Sequence, residues 1–377
     1  MHRHPLSLPA AALLAFSALA AADTDAATAL ALRLLPVLAF AAGMSVLVNL
    51  AARVHVFEWL VARLARATSS REAAFAGFVA LAAACTAFFS LDTTAIMLTP
   101  LAIQLATRFR LPQPAVALAV VWIANLASMP LPVSNLTNLL ALSGGAFDSQ
   151  QRFRHAALLP ATAAFAVAVA ASYLARLTYR GTVDGTEHNN RHHYPHPGAA
   201  LLVLCATMLA LLGPVPYWAT STVAAATMWA AVGTDGRRGG IAPLIPWRAL
   251  ALAATLSAAA TLSITAGSVV GAVQHLQGAH PGLIAAAGAT VANAVNNIPA
   301  YFALEPAASD PLSAMALLIG VNVGPVVTPW ASLATLLWAD QLKRSGANVP
   351  WKHFTLWGLA VAPLAVGAAT AALLATA

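Results

Sequence analysis

Apolar residues in this chain come in long unbroken blocks, and the polar residues collect between the blocks instead of alternating with them. Blocks of about 16 to 30 residues are separated by short clusters of Arg, Gly and Pro, and about 20 apolar residues cross a hydrocarbon core as a helix. Only helices or closed barrels satisfy their backbone in lipid, and these Ala/Leu/Val runs lack the period-two pattern of barrel strands. The pattern therefore predicts a bundle of about nine spans plus shorter pieces. Spans near 6–22 and 29–52 are followed by an amphipathic stretch at 55–67. The basic start at Met1-His-Arg-His and the Ala-rich end at Ala22 also fit a signal peptide; a retained first span is the reading adopted.

Two blocks fold back on themselves. Arg63, Arg66 and Arg71 precede the segment 73–106, and Arg108 and Arg110 follow it, so the positive-inside bias puts both of its ends on the cytoplasmic side. Such a segment is a re-entrant hairpin or two short helices, turning at Phe88-Phe89-Ser90-Leu91-Asp92-Thr93-Thr94. Downstream, no Lys or Arg occurs in the 94 residues between Arg248 and Lys343, which marks the opposite face. A second segment there, 282–304, lies between Gln274 to Gly278 and Glu305 with Asp310, and reads as a hairpin opening outward with its turn at Asn293 to Pro299. The clusters Arg176/Arg180/Arg191, Arg237/Arg238/Arg248 and Lys343/Arg344/Lys352 follow alternate spans, as cytoplasmic loops do; Arg33, Arg152 and Arg154 are exceptions. The expected protein is multi-pass in the plasma (inner) membrane, with a cytoplasmic N-terminus and an extracytoplasmic C-terminus. The polar loop 181–197 divides the halves; its His188, His192, His193 and His196 could chelate a metal but read as a solvated linker.

After each hairpin a pattern recurs: Asn125-Leu-Ala-Ser-Met-Pro130-Leu-Pro132-Val-Ser134-Asn135-Leu-Thr137-Asn138-Leu-Leu140, then Asn322-Val-Gly-Pro325-Val-Val-Thr328-Pro329-Trp-Ala-Ser332-Leu-Ala-Thr335-Leu-Leu337. In both, Asn to Pro is seven residues and Pro to the Leu-Leu pair is seven more. Matched spacing around unusual polar residues argues for duplication. With one hairpin opening inward and the other outward, the copies have inverted topology, the arrangement of alternating-access carriers with a site at the midplane. The prolines predict breaks near Pro130 to Pro132 and Pro325 to Pro329, freeing helix ends and carbonyls that can hold a small polar solute together with Ser, Thr and Asn. The competing reading is a pair of kinked helices glued to their neighbours by polar side chains.

The resulting fold class is an all-α membrane protein of two inverted repeats, each with a re-entrant helical hairpin and a broken transmembrane helix. The first repeat is 1–180 (hairpin about 72–108, broken helix about 113–145), and the second is 198–377 (hairpin about 282–308, broken helix about 311–339).

Composition removes other classes. With 60% hydrophobic and 8% charged residues, the chain is far from the roughly one-quarter charged content of soluble domains. The net charge of +7 sits in loop arginines facing lipid headgroups, not nucleic acid. Cys85 and Cys205 both lie in apolar runs and read as packing residues. There is no nucleophile–base pair, His-Glu-x-x-His or cofactor motif, so the protein reads as no enzyme and needs no cofactor.

Of the 12 acids, eleven fall in loops, at span ends or on the amphipathic stretch; Asp92 is the exception. An acid inside the membrane reads as part of an ion pathway or proton relay. The alternative is a cap accepting backbone N–H groups near Ala95. The matching place in the second hairpin is held by Asn296 and Asn297.

The segments Asp92-Thr-Thr-Ala-Ile-Met-Leu-Thr-Pro100, Ala124 to Asn138 and Gly320 to Trp338 resemble the arsenical pump membrane-protein family, within the ion transporter superfamily that also holds dicarboxylate and citrate carriers. The resemblance runs from about residue 33 to the C-terminus. It implies an elevator-like permease, often dimeric, that exports arsenite or antimonite against protons, giving arsenical resistance, sometimes with a partner ATPase. It maps the substrate and ion site to Asp92, Thr93 and Thr94, to Ser134, Asn135, Thr137 and Asn138, to Asn296 and Asn297, and to Thr328, Ser332 and Thr335, and the repeated pattern adds Asn125 and Asn322. The chain departs from the family at its N-terminus, where two spans precede the first hairpin and three precede the second.

Overall fold

The structure, a computed structural model, describes residues 7–68, 70–179, 196–267 and 270–376. Among these residues there is no strand. The first half runs α1 (Ser7–Ala22), α2 (Thr24–Arg53), α3 (Val56–Ala67), α4 (Arg71–Phe89), α5 (Leu91–Phe109), α6 (Gln113–Leu126), α7 (Leu136–Ser143) and α8 (Gln150–Thr178). The second half runs α9 (Gly198–Ala210), α10 (Tyr217–Ala231), the single turn α11 (Gly233–Gly236), α12 (Trp247–Thr265), α13 (Val270–Leu276), α14 (Pro281–Val295), α15 (Asn297–Leu304), α16 (Pro311–Val323), α17 (Leu333–Arg344) and α18 (Trp351–Leu374). The linker expected at 181–197 lies outside the described residues except for His196 and Pro197; the His196 ring sits 4.8 Å from that of Trp59.

The helices are apolar on both faces. Leu34, Val37 and Leu47 of α2 are buried, yet Leu32 and Leu35 on the same helix are more than half exposed, as are Leu13, Leu158, Leu174, Leu202 and Leu209 on other helices. A helix apolar all round belongs in lipid or in a deep core. Among the described residues, five helices are long and apolar enough to cross a membrane: α2, α4, α8, α12 and α18; five more are apolar but shorter. Helix α3 is different: Val56, Phe57, Val61 and Ala65 are buried while Arg63 and Arg66 are exposed, the pattern of a helix lying along an interface.

The order of elements in α4 to α8 recurs in α14 to α18: hairpin arm, hairpin arm, helix, break, short helix, long helix. Each hairpin turns on a single residue rather than on the seven-residue stretches anticipated. Ser90 has φ 85° and ψ 159°, and Asn296 has φ 102° and ψ 153°. This is a backbone region that essentially only glycine occupies freely, and two non-glycine residues hold it at equivalent places. The breaks also begin earlier than the prolines suggest, directly after Leu126 and Val323, and run to the caps at Asn135 and Ser332.

Packing divides the helices into two bundles. In the smaller, α10 lies along α2 and α9, and α1 lies along α12 and α2. In the larger, the two hairpin-and-break series interlock: α8 packs on α18, α17 on α5, and α14 on α16. The seam between bundles is formed where α12 meets α15 and α2 meets α7, with α3 touching both sides. Cys85 is buried in the hairpin, but Cys205 is exposed on α9, so the packing reading fails for Cys205: its helix turns that face outward.

The strained hinge makes a stability prediction. Ser90→Gly relieves a conformation costing about 1–3 kcal/mol, at the loss of two long bonds, 3.5 Å from the Thr93 amide to Ser90 Oγ and 3.4 Å from Ser90 Oγ to Thr93 Oγ1. The variant should melt at a higher temperature than wild type in detergent, and Ser90→Val at a lower one.

Candidate functional site

A helix that stops inside a membrane leaves carbonyls at one end and N–H groups at the other, and lipid satisfies neither. In the first break, side chains do so. Asn135 caps α7, its Oδ1 accepting from Thr137 N at 3.4 Å. Asn138 Nδ2 donates to the carbonyls of Ser128 (2.9 Å) and Leu131 (3.0 Å), and Ser128 Oγ donates to the Asn125 carbonyl at the end of α6 (2.7 Å). Ser134 Oγ donates to the Ala87 carbonyl at 2.7 Å, joining the break to the first hairpin one turn before its hinge.

Asn322 of α16 enters this break from the other half. Its Oδ1 accepts from Asn135 Nδ2 (3.0 Å) and Thr137 Oγ1 (2.5 Å), and its Nδ2 donates to Asn138 Oδ1 (2.7 Å). All four side chains are at most 1% exposed. The result is an uncharged knot of amides and a hydroxyl at the N-terminus of α7, tying the two halves together.

The second break is clasped mainly by its own hairpin. Asn293 Oδ1 accepts from the amides of Val327 (3.2 Å) and Thr328 (3.1 Å), Asn293 Nδ2 donates to the Gly324 carbonyl (2.9 Å), and Thr328 Oγ1 donates to the Asn293 carbonyl (2.7 Å). Asn296 Nδ2 reaches the Trp330 carbonyl (2.9 Å), and the Asn297 amide reaches the Ala331 carbonyl (2.9 Å). Ser332 caps α17 through Thr335 N (3.2 Å) and shares a 3.1 Å bond with Thr335 Oγ1.

The sequence-derived residues therefore fall into separate groups. Asn135, Thr137, Asn138 and Asn322 meet directly; Ser134, Asn296, Asn297 and Thr328 fasten hairpins to breaks; Ser332 and Thr335 pair with each other. Thr94 faces inward within the first hairpin, bonded to Thr86 Oγ1 (2.9 Å) and the Ser90 carbonyl (3.2 Å), and Thr93 turns toward Ser90. Asp92 is not the cap of α5: Ser90 holds that position, because the one-residue hinge puts Asp92 inside the first turn. Asp92 is half-buried, and its enclosed Oδ1 has no hydrogen-bond partner among the described residues. The same is true of Asn125 Oδ1, whose Nδ2 bonds its own helix at Val121.

Sequence reasoning left out Ser128 and Asn293 as site residues. Asn293 stood within the quoted turn, but its match to Thr328 depends on folding the hairpin back; Ser128 lay inside the repeat as an ordinary serine. No Lys or Arg hydrogen-bonds a side chain of the knot or of the clasp in the described structure. The guanidinium of Arg33 goes to the far end of α7, where it donates to the Leu140 carbonyl and pairs with Glu305.

A family model described as citrate transporter (CitMHS) matches residues 2–320. The chain is 26% identical over 341 residues to the arsenical pump membrane protein of Yersinia enterocolitica, covering 80% of this chain and 77% of that one. It is 27% identical over 340 residues to an arsenical pump membrane protein of Escherichia coli, with the same coverage.

The unequal breaks carry a prediction. Asn322→Ala deletes three buried bonds, and at about 0.6 kcal/mol per bond inside membranes, plus the cost of stranding Asn135 and Asn138, it should lose about 2–4 kcal/mol. Asn125→Ala deletes one local bond and should lose under about 1 kcal/mol. Unfolding of the two variants in detergent checks the ranking; equal losses would mean that the knot does not join the halves.

Proposed function

The chain belongs to the citrate transporter family and is a multi-pass membrane transporter; from that premise and the polar breaks we propose that it is a secondary carrier exporting arsenite- or antimonite-like trihydroxides by proton antiport. The observation that carries this reading is the uncharged character of the knot: Asn135, Thr137, Asn138 and Asn322 offer amides and a hydroxyl, with no basic side chain bonded to them. Arsenous acid near neutral pH is itself an uncharged trihydroxide, and such groups can both donate to it and accept from it. A dicarboxylate is ordinarily clamped by bidentate arginine. The names of the two arsenical pump relatives support the same substrate.

The two series α4–α8 and α14–α18 are taken as inverted repeats, with the N-terminus cytoplasmic and the C-terminus outside, and the larger bundle as the part that carries solute past the smaller in an elevator-type motion. The division of packing into two bundles supports that motion, and the matched one-residue hinges support the duplication. Asp92, with an enclosed and unpartnered oxygen beside the Ser90 hinge, is assigned the proton-linked role, since no acid holds the equivalent place near Asn296.

A second reading, an anion permease for a dicarboxylate or oxyanion coupled to sodium or protons, is favoured by the family's own description and by the N-termini of α7 and α17, both of which begin at a break. Flux of arsenite, antimonite, citrate and sulfate into everted vesicles separates the two.

Expression in an arsenite-sensitive bacterial host lacking its own exporter should restore growth in arsenite; no gain in resistance, with the protein demonstrated in the membrane, would remove the substrate assignment. Asp92→Asn should insert normally and lose accumulation driven by a pH gradient. Unchanged pH-driven flux in that variant would take Asp92 out of the coupling.

A further inference from the structure

Arg33 is one of the arginines that the loop-charge rule leaves unexplained, since it lies within the apolar run of α2. A cation there is costly unless it is paired. The structure supplies the partners from two segments remote in sequence. Its Nη1 donates to Glu305 Oε2 at 2.8 Å and its Nη2 to Glu305 Oε1, making a two-pronged pair at the base of the second hairpin. Nε and Nη2 also donate to the Leu140 carbonyl near the C-terminus of α7, at 3.2 and 2.5 Å. There the helix dipole favours a cation. Tyr301 of α15 donates its hydroxyl to Glu305 Oε1 at 2.7 Å, and the guanidinium lies 5.7 Å from the Phe302 ring centre.

Two features make this more than a surface pair. The side chains of Arg33 and Glu305 are only 20% and 24% exposed, so loss of one partner strands a charge in a poorly solvated place. The pair also crosses the seam: α2 belongs to the smaller bundle, whereas α7 and α15 belong to the larger one that holds both breaks. The remaining ion pairs of the described structure are local in sequence or, for Arg176 with Glu72, within the larger bundle. Gly144, just past α7, makes room for the clasp; a Cβ there would collide with the Arg33 guanidinium and come within 2.8 Å of Glu305 Oε1.

We propose that Arg33 is a positioning residue of the transport cycle: its clasp on Glu305 and the Leu140 carbonyl holds the site-bearing bundle against α2 in one state and is released when that bundle moves. This rests on the carrier reading above. The clasp touches neither the Asn322 knot nor the Asn293 clasp, so it acts on the rate of movement and not on solute affinity. Glu305→Gln should slow transport by at least about tenfold with KM changed by less than about threefold, because the stranded arginine destabilises the clasped state that each cycle must regain while the site is untouched. Gly144→Ala, which displaces the guanidinium without removing a charge, should act in the same direction.

The deciding experiment uses the full chain in proteoliposomes, with Cys85 and Cys205 replaced by Ser and the pair Arg33→Cys/Glu305→Cys introduced. Losing both charges together is far milder than losing one, so the uncross-linked pair should transport. A short bis-methanethiosulfonate linker across the pair should abolish arsenite counterflow, and reduction should restore it. Cross-linked protein that transports at the uncross-linked rate would overturn the proposal and make the contact a fixed joint. The double variant Arg33→Gln/Glu305→Gln, which strands no charge and keeps an amide donor for the Leu140 carbonyl, should recover the melting temperature lost in Glu305→Gln; no such recovery in a correctly inserted double variant also overturns it. If the unmodified chain moves neither arsenite nor citrate, the carrier reading fails instead, and recovery of melting temperature in the double variant still decides whether the pair holds α2 to the larger bundle.

Discussion

Backbone hydrogen bonding inside a hydrocarbon layer is the constraint from which the rest of this molecule follows. Every N–H and C=O at membrane depth needs a partner from the protein, and the two breaks expose many at once. The chain answers with asparagines, since an amide side chain both donates and accepts and so can stand in for a missing peptide group without bringing in charge. Asn138 takes the carbonyls of Ser128 and Leu131, and Asn293 takes the amides of Val327 and Thr328 while donating to the Gly324 carbonyl. Once the breaks are held this way, the hairpins must fold back to reach them. Each hairpin then turns on one residue in a backbone conformation that its side chain disfavours.

The same solution makes the two breaks unequal. The first is completed by a residue from the other half, Asn322, and the second by its own hairpin through Asn293 and Asn296. Asn125, which occupies the place in α6 that Asn322 occupies in α16, turns its amide nitrogen back to Val121 and leaves its oxygen unpartnered. Among the buried oxygens without a partner in the described residues, Asn125 Oδ1 lies at the end of α6 and Asp92 Oδ1 beside the Ser90 hinge. A buried acceptor without a donor is costly, so on the carrier reading these oxygens are where a donor, whether a hydroxyl of the solute or a proton, has most to offer.

Charge is kept away from the knot by the same economy. A guanidinium beside an amide cluster would bias it toward anions. Here Arg33 is drawn to a carboxylate and to a helix C-terminus, the two partners that best satisfy a cation in a poorly solvated seam. The knot stays neutral while the charge serves the contact between bundles.

How much of this could be read in advance depends on the range of the interaction concerned. Block length and low charge sufficed for a helical membrane protein, and local spacing sufficed for the repeated elements, because seven-residue intervals from Asn125 to Pro132 and from Asn322 to Pro329 survive any folding of the chain. The hairpin arms and the amphipathic α3 are likewise short-range and legible, whereas Asn135 and Ser332 emerge as caps only in the structure. Pairings between distant segments were not. Asn322 meets Asn135 across 187 residues and Arg33 meets Glu305 across 272, and nothing local distinguishes those partners from other asparagines or glutamates. The alternative of Asp92 as a cap falls for a related reason: only the tertiary fold compresses the turn to the single residue Ser90 and so places Asp92 off the cap. Composition and periodicity determined which residues must leave water and which helices must break; the folded packing of one half against the other decided which polar groups satisfy one another and left Asn125 Oδ1 and Asp92 Oδ1 without a partner among the described residues.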